Sequence, residues 1–438
     1  MGRLLYETGK MDERKRIANE RGSAKEGKAS FSWAWEMDGT EEERQKGVTK
    51  DIAQRTMITQ SRHITILDAP GHKDFIPNMI SGAAQADAAL LVVDSSVGSF
   101  ESGFDRGGQT QEHMQLVRSL GVTQIVVAVN KLDMVEWSQQ RYDEICTKLS
   151  QFLQQTGFQA SRTKFVPVCA MGGINLVNGS GDDVKALTQW YSGLSLIDCL
   201  NELEPPQRQI DAPLRIPLVN VFRGQTSLSH GVGVSGRICS GVVQVGDRLR
   251  VVPGDEVAAV RLIDYEDESV PWAAAGSNAT FYLAGIDPIH LSVGSVLCSL
   301  NEPVRMSSSF EAKIMLFDLQ KPVLGGTSVE LFCHAREAPA TITKLVATLD
   351  RSTGAVTRNN PRVLQRNSVA IVQISLRTAS LSGSVSSSAS LPLEISDANK
   401  DMSRILLRSE GETIGAGENT SSQLDQVAYQ VLIDRVQE

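Results

Sequence analysis

The stretch that most constrains this chain is His63-Ile-Thr-Ile-Leu-Asp-Ala-Pro-Gly-His72. Its apolar part, Ile64–Leu67, is short and rich in β-branched residues, which predicts a strand buried on both faces. The run ends in a carboxylate, Asp68, and Pro70 and Gly71 then break the strand. In open α/β sheets, ligands sit beyond the carboxyl ends of the strands. An acid at that place can hold magnesium, usually through water. Gly71 has no Cβ, so its N–H can approach a phosphate closely. His72 then lies within reach of whatever attacks that phosphate. An ordinary turn would use the same residue types, so this motif needs company to carry a function.

The company follows in the chain. Three more apolar runs, Ala88–Val93, Gln124–Val129 and Lys164–Val168, are separated by helix-length segments. Strands alternating with helices predict a parallel sheet with crossovers. The four runs end at Asp68, Asp94, Asn130 and Cys169-Ala170. Polar tips recurring in this way line several loops along one sheet edge. The third loop, Asn130-Lys131-Leu132-Asp133, is the most specific. Guanine presents N1–H and an exocyclic N–H side by side, and one carboxylate can accept both. Adenine offers no such pair, so Asp133 would be left unsatisfied by the wrong base. Asn130 would tie adjacent loops together, and the Lys131 stem could cover the base.

The chain is long enough, at 438 residues, to require two or three domains. No apolar run approaches bilayer length, and the first residues lack the apolar core of a signal peptide. Six cysteines stand singly, which favours a reducing, cytoplasmic setting over a zinc site or disulfide framework. A formal charge of −8 argues against a generally basic nucleic-acid binder but leaves room for a local basic face. The charged, helix-prone run up to about residue 29 reads most simply as a solvated helix. Beyond Pro205-Pro206, short alternating runs with frequent glycines predict small β-barrels, a second set starting near Val304. The Ser-rich stretch between Thr378 and Leu391 reads as a loop, and Leu424 to Val436 recur at helical spacing.

With these motifs in place, the chain resembles the translational GTPases of the elongation factor Tu and one-alpha type. Further matching segments are Gly47-Val48-Thr49, Phe75-Ile-Pro-Asn-Met79 and Gly107-Gly-Gln-Thr-Gln-Glu-His113. Val270-Pro-Trp-Ala-Ala-Ala-Gly276 and Gly411-Glu-Thr-Ile-Gly-Ala-Gly417 are nearest its ribosome-rescue branch, the Pelota-partner (Hbs-type) GTPases. The resemblance implies an α/β P-loop-type G domain at residues 1–207, then β-barrels at 208–301 and 302–438. It implies GTP or GDP with magnesium as cofactors. Thr49 and Asp68 would serve the metal, Gly71 the γ-phosphate, and His72 the attacking water, gated by Val48. Asn130, Lys131 and Asp133 would hold guanine, with Cys169, Ala170 and Met171 as the last guanine loop. Cysteine stands where the family usually has serine, which weakens one hydrogen bond, while the Ala170 N–H could still reach the guanine carbonyl. The implied function is delivery of a Pelota-type protein to stalled ribosomes, with GTP hydrolysis, in no-go and non-stop mRNA decay. No membrane and no sequence-specific nucleic acid are implied as partners. Alternatives are a termination factor of the release factor three type, an elongation factor one-alpha-like GTPase, or a non-hydrolysing Pelota- or ribosome-binding module.

The sequence departs from the family in one major way. It contains no Gly-x-x-x-x-Gly-Lys-[Ser/Thr] loop, and the strand before that loop is also missing. The expectation is a truncated form or incomplete gene model whose central sheet has lost a strand. Each charge-assisted hydrogen bond contributes about 1.5–3 kcal/mol, so losing three costs about 5 kcal/mol or more. That is roughly a thousand- to ten-thousand-fold in nucleotide affinity. A C-terminal helix from Ser421 is expected in place of the family's final barrel strand.

Overall fold

The structure is a computed structural model. It describes residues 1–25, 32–37, 52–70, 76–104, 109–177, 182–223, 231–266, 268–317, 319, 321–351, 353–377 and 390–422. The chain divides into two compact units, Met1–Pro206 and Gln207–Glu438.

The first unit begins with two helices, α1 (Gly2–Glu7) and α2 (Glu13–Lys25). Then come strands β1 (Ala53–Ile58) and β2 (His63–Asp68), which form an antiparallel hairpin with Ala53 opposite Asp68. After α3 (Ile76–Ala83), strand β3 (Ala88–Asp94) leads through α4 (Gln109–Ser119) to β4 (Gln124–Asn130). Helix α5 (Gln139–Thr156) connects β4 to β5 (Thr163–Pro167), and α6 (Leu196–Asn201) follows. β3, β4 and β5 form a parallel sheet in which Asp94 lies beside Asn130.

Two expectations are corrected here. β2 pairs with β1 rather than with a parallel neighbour, and only Ile66 within it is fully buried. A strand with one hydrogen-bonded neighbour lacks half of its surrounding layer, so it is not buried on both faces. β3 likewise pairs only with β4 among the described residues, so the ladder has a break between β2 and β3. The parallel sheet with helical crossovers is the α/β class expected from the sequence.

α5 shows why its sequence is helical. Ser138 caps its start, accepting from the Arg141 N–H at 3.3 Å, and Gly157 ends it at φ 101°. Tyr142, Ile145, Leu149 and Leu153 recur three or four residues apart and form its buried face. The central core of the unit joins Leu4 and Leu5 of α1, Met57 and Ile66 of the hairpin, Val126 and Ala128 of β4, and Ile197 of α6.

The second unit holds two antiparallel barrels. The first has strands β6 (Arg215–Arg223), β7 (Val232–Arg237), β8 (Arg248–Val252), β9 (Val257–Tyr265), β10 (Asn278–Ala284) and β11 (Val296–Ser299). They run in the order β9-β10-β7-β6-β11-β8, and β8 pairs back onto β9. The second has β12 (Ser309–Leu316), β13 (Thr327–Cys333), β14 (Arg336–Leu349), β15 (Val369–Leu376), β16 (Arg404–Ser409) and β17 (Glu412–Ser422). Their order is β13-β16-β17-β12-β15-β14, closed by β14 on β13. Alternation drives both: Ala279, Phe281 and Leu283 of β10 point inward, as do Phe310, Ala312, Ile314 and Leu316 of β12. Gly417 permits β17 to lie against β12, because a Cβ there would strike the Lys313 carbonyl.

β17 corrects a further expectation. Through Ser422 the chain is a strand that pairs with both β12 and β16, so the last barrel is completed by a strand, not replaced by a helix from Ser421. The helical spacing from Leu424 onward, and the Ser-rich residues 378–389, lie outside the described residues. A seam joins the barrels. Arg215 reaches Glu394 at 2.7 Å, both nearly enclosed, and Asn399 donates to Ser240 at 3.0 Å. Apolar contact among Cys239, Val252, Val296, Val304 and Met402 completes it.

Candidate nucleotide-binding site

The parallel sheet brings the tips of β3, β4 and β5 together. The Asn130 carbonyl accepts the Ser95 N–H at 2.9 Å, joining the loops after β3 and β4. Asn130 Oδ1 accepts the Ala170 N–H at 2.9 Å, joining the loops after β4 and β5. One amide residue therefore ties three loops. The tie also engages the Ala170 N–H, the group expected to serve a guanine carbonyl.

Lys131 adopts a left-handed conformation, φ 63°, which turns the chain sharply out of β4. Its ammonium reaches back to Asp94 Oδ2 at 2.7 Å. Asp94 Oδ1 accepts the Ser96 N–H at 2.9 Å. Burial pushes the Asp94 carboxyl upward, but Lys131 and Ser96 outweigh it and hold the group below the usual carboxylate range. The Lys131 stem thus spans from β4 to β3, an exposed bar beside the loop that carries Asp133.

Asp133 is exposed, and its carboxylate is close enough to Cys169 to act on the thiol. The sulfur in turn accepts the Gly172 N–H at 3.4 Å. Burial first, and the neighbouring Asp133 carboxylate as well, push the Cys169 thiol up to about 11. It therefore keeps its proton and can act as the donor that serine would be. Met171 is exposed at the end of the same loop. The structure thus places Asn130, Lys131, Asp133, Cys169, Ala170 and Met171 on adjoining loops at one sheet edge. Asp68 closes β2, whose Ile66 shares a core with Val126 and Ala128 of β4. Val48, Thr49, Gly71 and His72 lie outside the described residues.

Sequence reasoning missed one part of this frame. Arg141, in the first turn of α5, donates to the Ser95 carbonyl at 3.0 Å and to Glu101 at 2.9 Å and 3.1 Å. Glu101 also accepts the Gly98 N–H at 2.8 Å, so the pair pins the loop after β3. The Arg141 guanidinium holds the Glu101 carboxyl down at about 2. The partners are 40 residues apart, and no local pattern announces them.

Among the described residues, no group of three or more His, Cys, Asp or Glu side chains is placed to hold a metal ion. Asp68 is the one expected magnesium ligand within them, and a carboxylate oxygen is the donor type that ion prefers. No helix of the described residues is long and apolar enough to cross a membrane.

Residues 1–206 match the family model of the elongation factor Tu GTP-binding domain, and residues 309–418 match the GTP-eEF1A C-terminal domain-like model. The chain is 41% identical over 417 residues to Protein HBS1 of Drosophila melanogaster, an alignment covering 95% of this chain and 60% of the fly protein. It is 36% identical over 423 residues to elongation factor 1-alpha of Pyrobaculum aerophilum, covering 95% of this chain and 90% of that one. The crystal structure of the S. cerevisiae Ski7 GTPase-like domain, bound to GDP and inorganic phosphate, matches with a TM-score of 0.76. Identity is 17%, over 96% of this chain and 93% of that one. The chain spans about three fifths of the length of the fly relative.

A parallel α/β sheet unit followed by paired barrels, with these matches, defines a class by its architecture: the relatives of the translation elongation factors. Within it, the chain belongs to the elongation factor Tu and 1-alpha family.

Proposed function

We propose that this protein binds guanine nucleotides at the tips of β3, β4 and β5 and acts as a ribosome-rescue GTPase that delivers a Pelota-type protein to stalled ribosomes. The observation that carries the nucleotide reading is the three-loop tie through Asn130. It leaves Asp133 at the rim, where its carboxylate can accept the paired N–H groups of guanine. The Cys169 thiol lies beside that carboxylate, and the Lys131 stem, anchored on Asp94, offers an apolar surface to the base plane. Asp68 and Thr49 would hold magnesium, which supplies charge neutralisation to the phosphates. Gly71 would approach the γ-phosphate through its backbone, and His72 would orient the attacking water. The rescue reading is supported by the similarity to Protein HBS1.

A second reading has its own support. These 438 residues hold no Gly-x-x-x-x-Gly-Lys-[Ser/Thr] loop, and among the described residues the ladder breaks between β2 and β3. Both favour, for these 438 residues, a module that docks on Pelota or the ribosome without hydrolysing GTP. Ribosome-stimulated GTP hydrolysis and Pelota pull-down, each with the parent chain and His72→Ala, separate the two. Hydrolysis abolished by the substitution establishes the enzyme. Pelota binding without hydrolysis establishes the module. Capture of a class-one release factor in preference to Pelota overturns the rescue reading.

A further inference from the structure

Helix α2 carries two kinds of basic residue. One kind is engaged. Lys15 Nζ lies 2.7 Å from the carboxylate of Glu36, which is buried. Arg16 takes both acids of the helix, Glu13 at 2.6 Å and Glu20 at 3.1 Å. The helix is also fixed in rotation. Gly22 passes directly over the Trp35 ring, Ser23 is fully buried, and Asn19 faces Met11.

Arg14, Ala18, Arg21 and Lys25 are left on a different face, and all four are exposed. At 3.6 residues per turn they fall within an arc of about 60°. The rise per residue puts Arg14 about 10 Å from Arg21 along the axis, and Arg21 about 6 Å from Lys25. None of the three cations forms an ion pair among the described residues, whereas Lys15 and Arg16 both do. The acids of the helix are already taken. α2 holds five basic and two acidic residues in a chain whose net charge is −8, so the stripe stands against the overall field.

We infer that this face of α2 is a docking surface for the backbone of structured RNA, with Arg14, Arg21 and Lys25 each pairing with a phosphate. A membrane surface fits poorly, because the stripe offers nothing larger than Ala18 for insertion among lipid chains. Three cations aligned on one face of a rigid helix can each meet a phosphate along a nucleic-acid backbone, which is read without base contacts. The choice of RNA rests on the translation-factor reading. The cationic face itself needs no bound nucleotide.

The test uses the full chain, a fluorescently labelled RNA duplex of about 16 base pairs and arbitrary sequence, and anisotropy between about 50 and 200 mM salt. The variant is Arg14→Gln, Arg21→Gln, Lys25→Gln, which keeps good helix formers at each site. Three lost phosphate contacts lower the slope of log affinity against log salt by about 2 to 3 and weaken binding at least about tenfold. Arg14→Lys with Arg21→Lys keeps the charges and retains binding, which separates docking from damage to the fold. The inference is overturned if the glutamine variant binds like the parent, or if the parent ignores RNA while binding phosphatidylserine vesicles or an acidic peptide. RNA binding that persists in a chain unable to bind a fluorescent GTP analogue would count against the nucleotide site alone.

Discussion

Every strand of the two barrels has two hydrogen-bonded neighbours, whereas β2 and β3 of the first unit have one each among the described residues. The consequence is visible in valine. Val92 of β3 is 52% exposed, while Val127 of β4 is completely buried. A barrel satisfies its edges by closing on itself and needs no other element to do so. A parallel sheet depends on strands brought from elsewhere by crossovers. The barrels are therefore self-contained in a way that the parallel sheet of the first unit is not.

The sharpest way to break this contrast is at the barrel seam. Glu394→Ala strands Arg215, which is nearly enclosed and whose guanidinium otherwise donates, among the described residues, to the carbonyls of Leu214 and Glu302. Leaving a buried charge without its partner costs about 3–5 kcal/mol. Urea unfolding followed by circular dichroism should show the barrel transition shifted by that amount, with the first unit unmoved.

The barrel unit should also be sensitive to acid. His334 sits at the β13–β14 turn. The residue is partly exposed, but its Nε2 is shut off from solvent and has no partner among the described residues. Burial holds the imidazole down at about 4, with Asp401 opposing that and Arg404 adding to it. The folded state then resists a proton that the unfolded chain accepts near 6.5. Stability is flat above about pH 6.5, falls by up to about 3 kcal/mol towards pH 4, and levels below it. His334→Asn tolerates the positive φ of 54° and should flatten this part of the profile.

The next effect compares two valines. Val127→Ala removes a completely buried side chain and should cost about 2 kcal/mol. Val92→Ala should cost less than about 0.5 kcal/mol. Equal losses would mean that β3 is covered as well as β4. The smallest effect is at Glu101, whose partly exposed pair with Arg141 contributes under about 1 kcal/mol. Glu101→Gln should chiefly speed hydrogen exchange at Gly98, whose N–H it accepts.

What the sequence disclosed follows from the range of each interaction. The tips of β3, β4 and β5 were legible because each apolar run ends in a polar residue, and parallel pairing then sets Asp94 beside Asn130. The partnership of β1 with β2 was not, because a short apolar run does not name its neighbour. Alternation announced the barrel strands, but β17 escaped notice because Gly411, Gly415 and Gly417 obscure its pattern. Arg141 and Glu101 were silent because their pairing depends on the finished fold.

The central claim is that Asp133 reads a guanine base. Asp133→Asn replaces two acceptors with one acceptor and one donor, which suits the N1–H and C2 carbonyl of xanthine instead. Equilibrium binding of GDP and xanthosine diphosphate should be compared for parent and variant, up to millimolar nucleotide. The account predicts that the variant loses GDP affinity at least about tenfold, a loss of about 1.4 kcal/mol, and gains preference for the xanthine nucleotide. A parent that binds neither nucleotide, or a variant whose preference is unchanged, would contradict it.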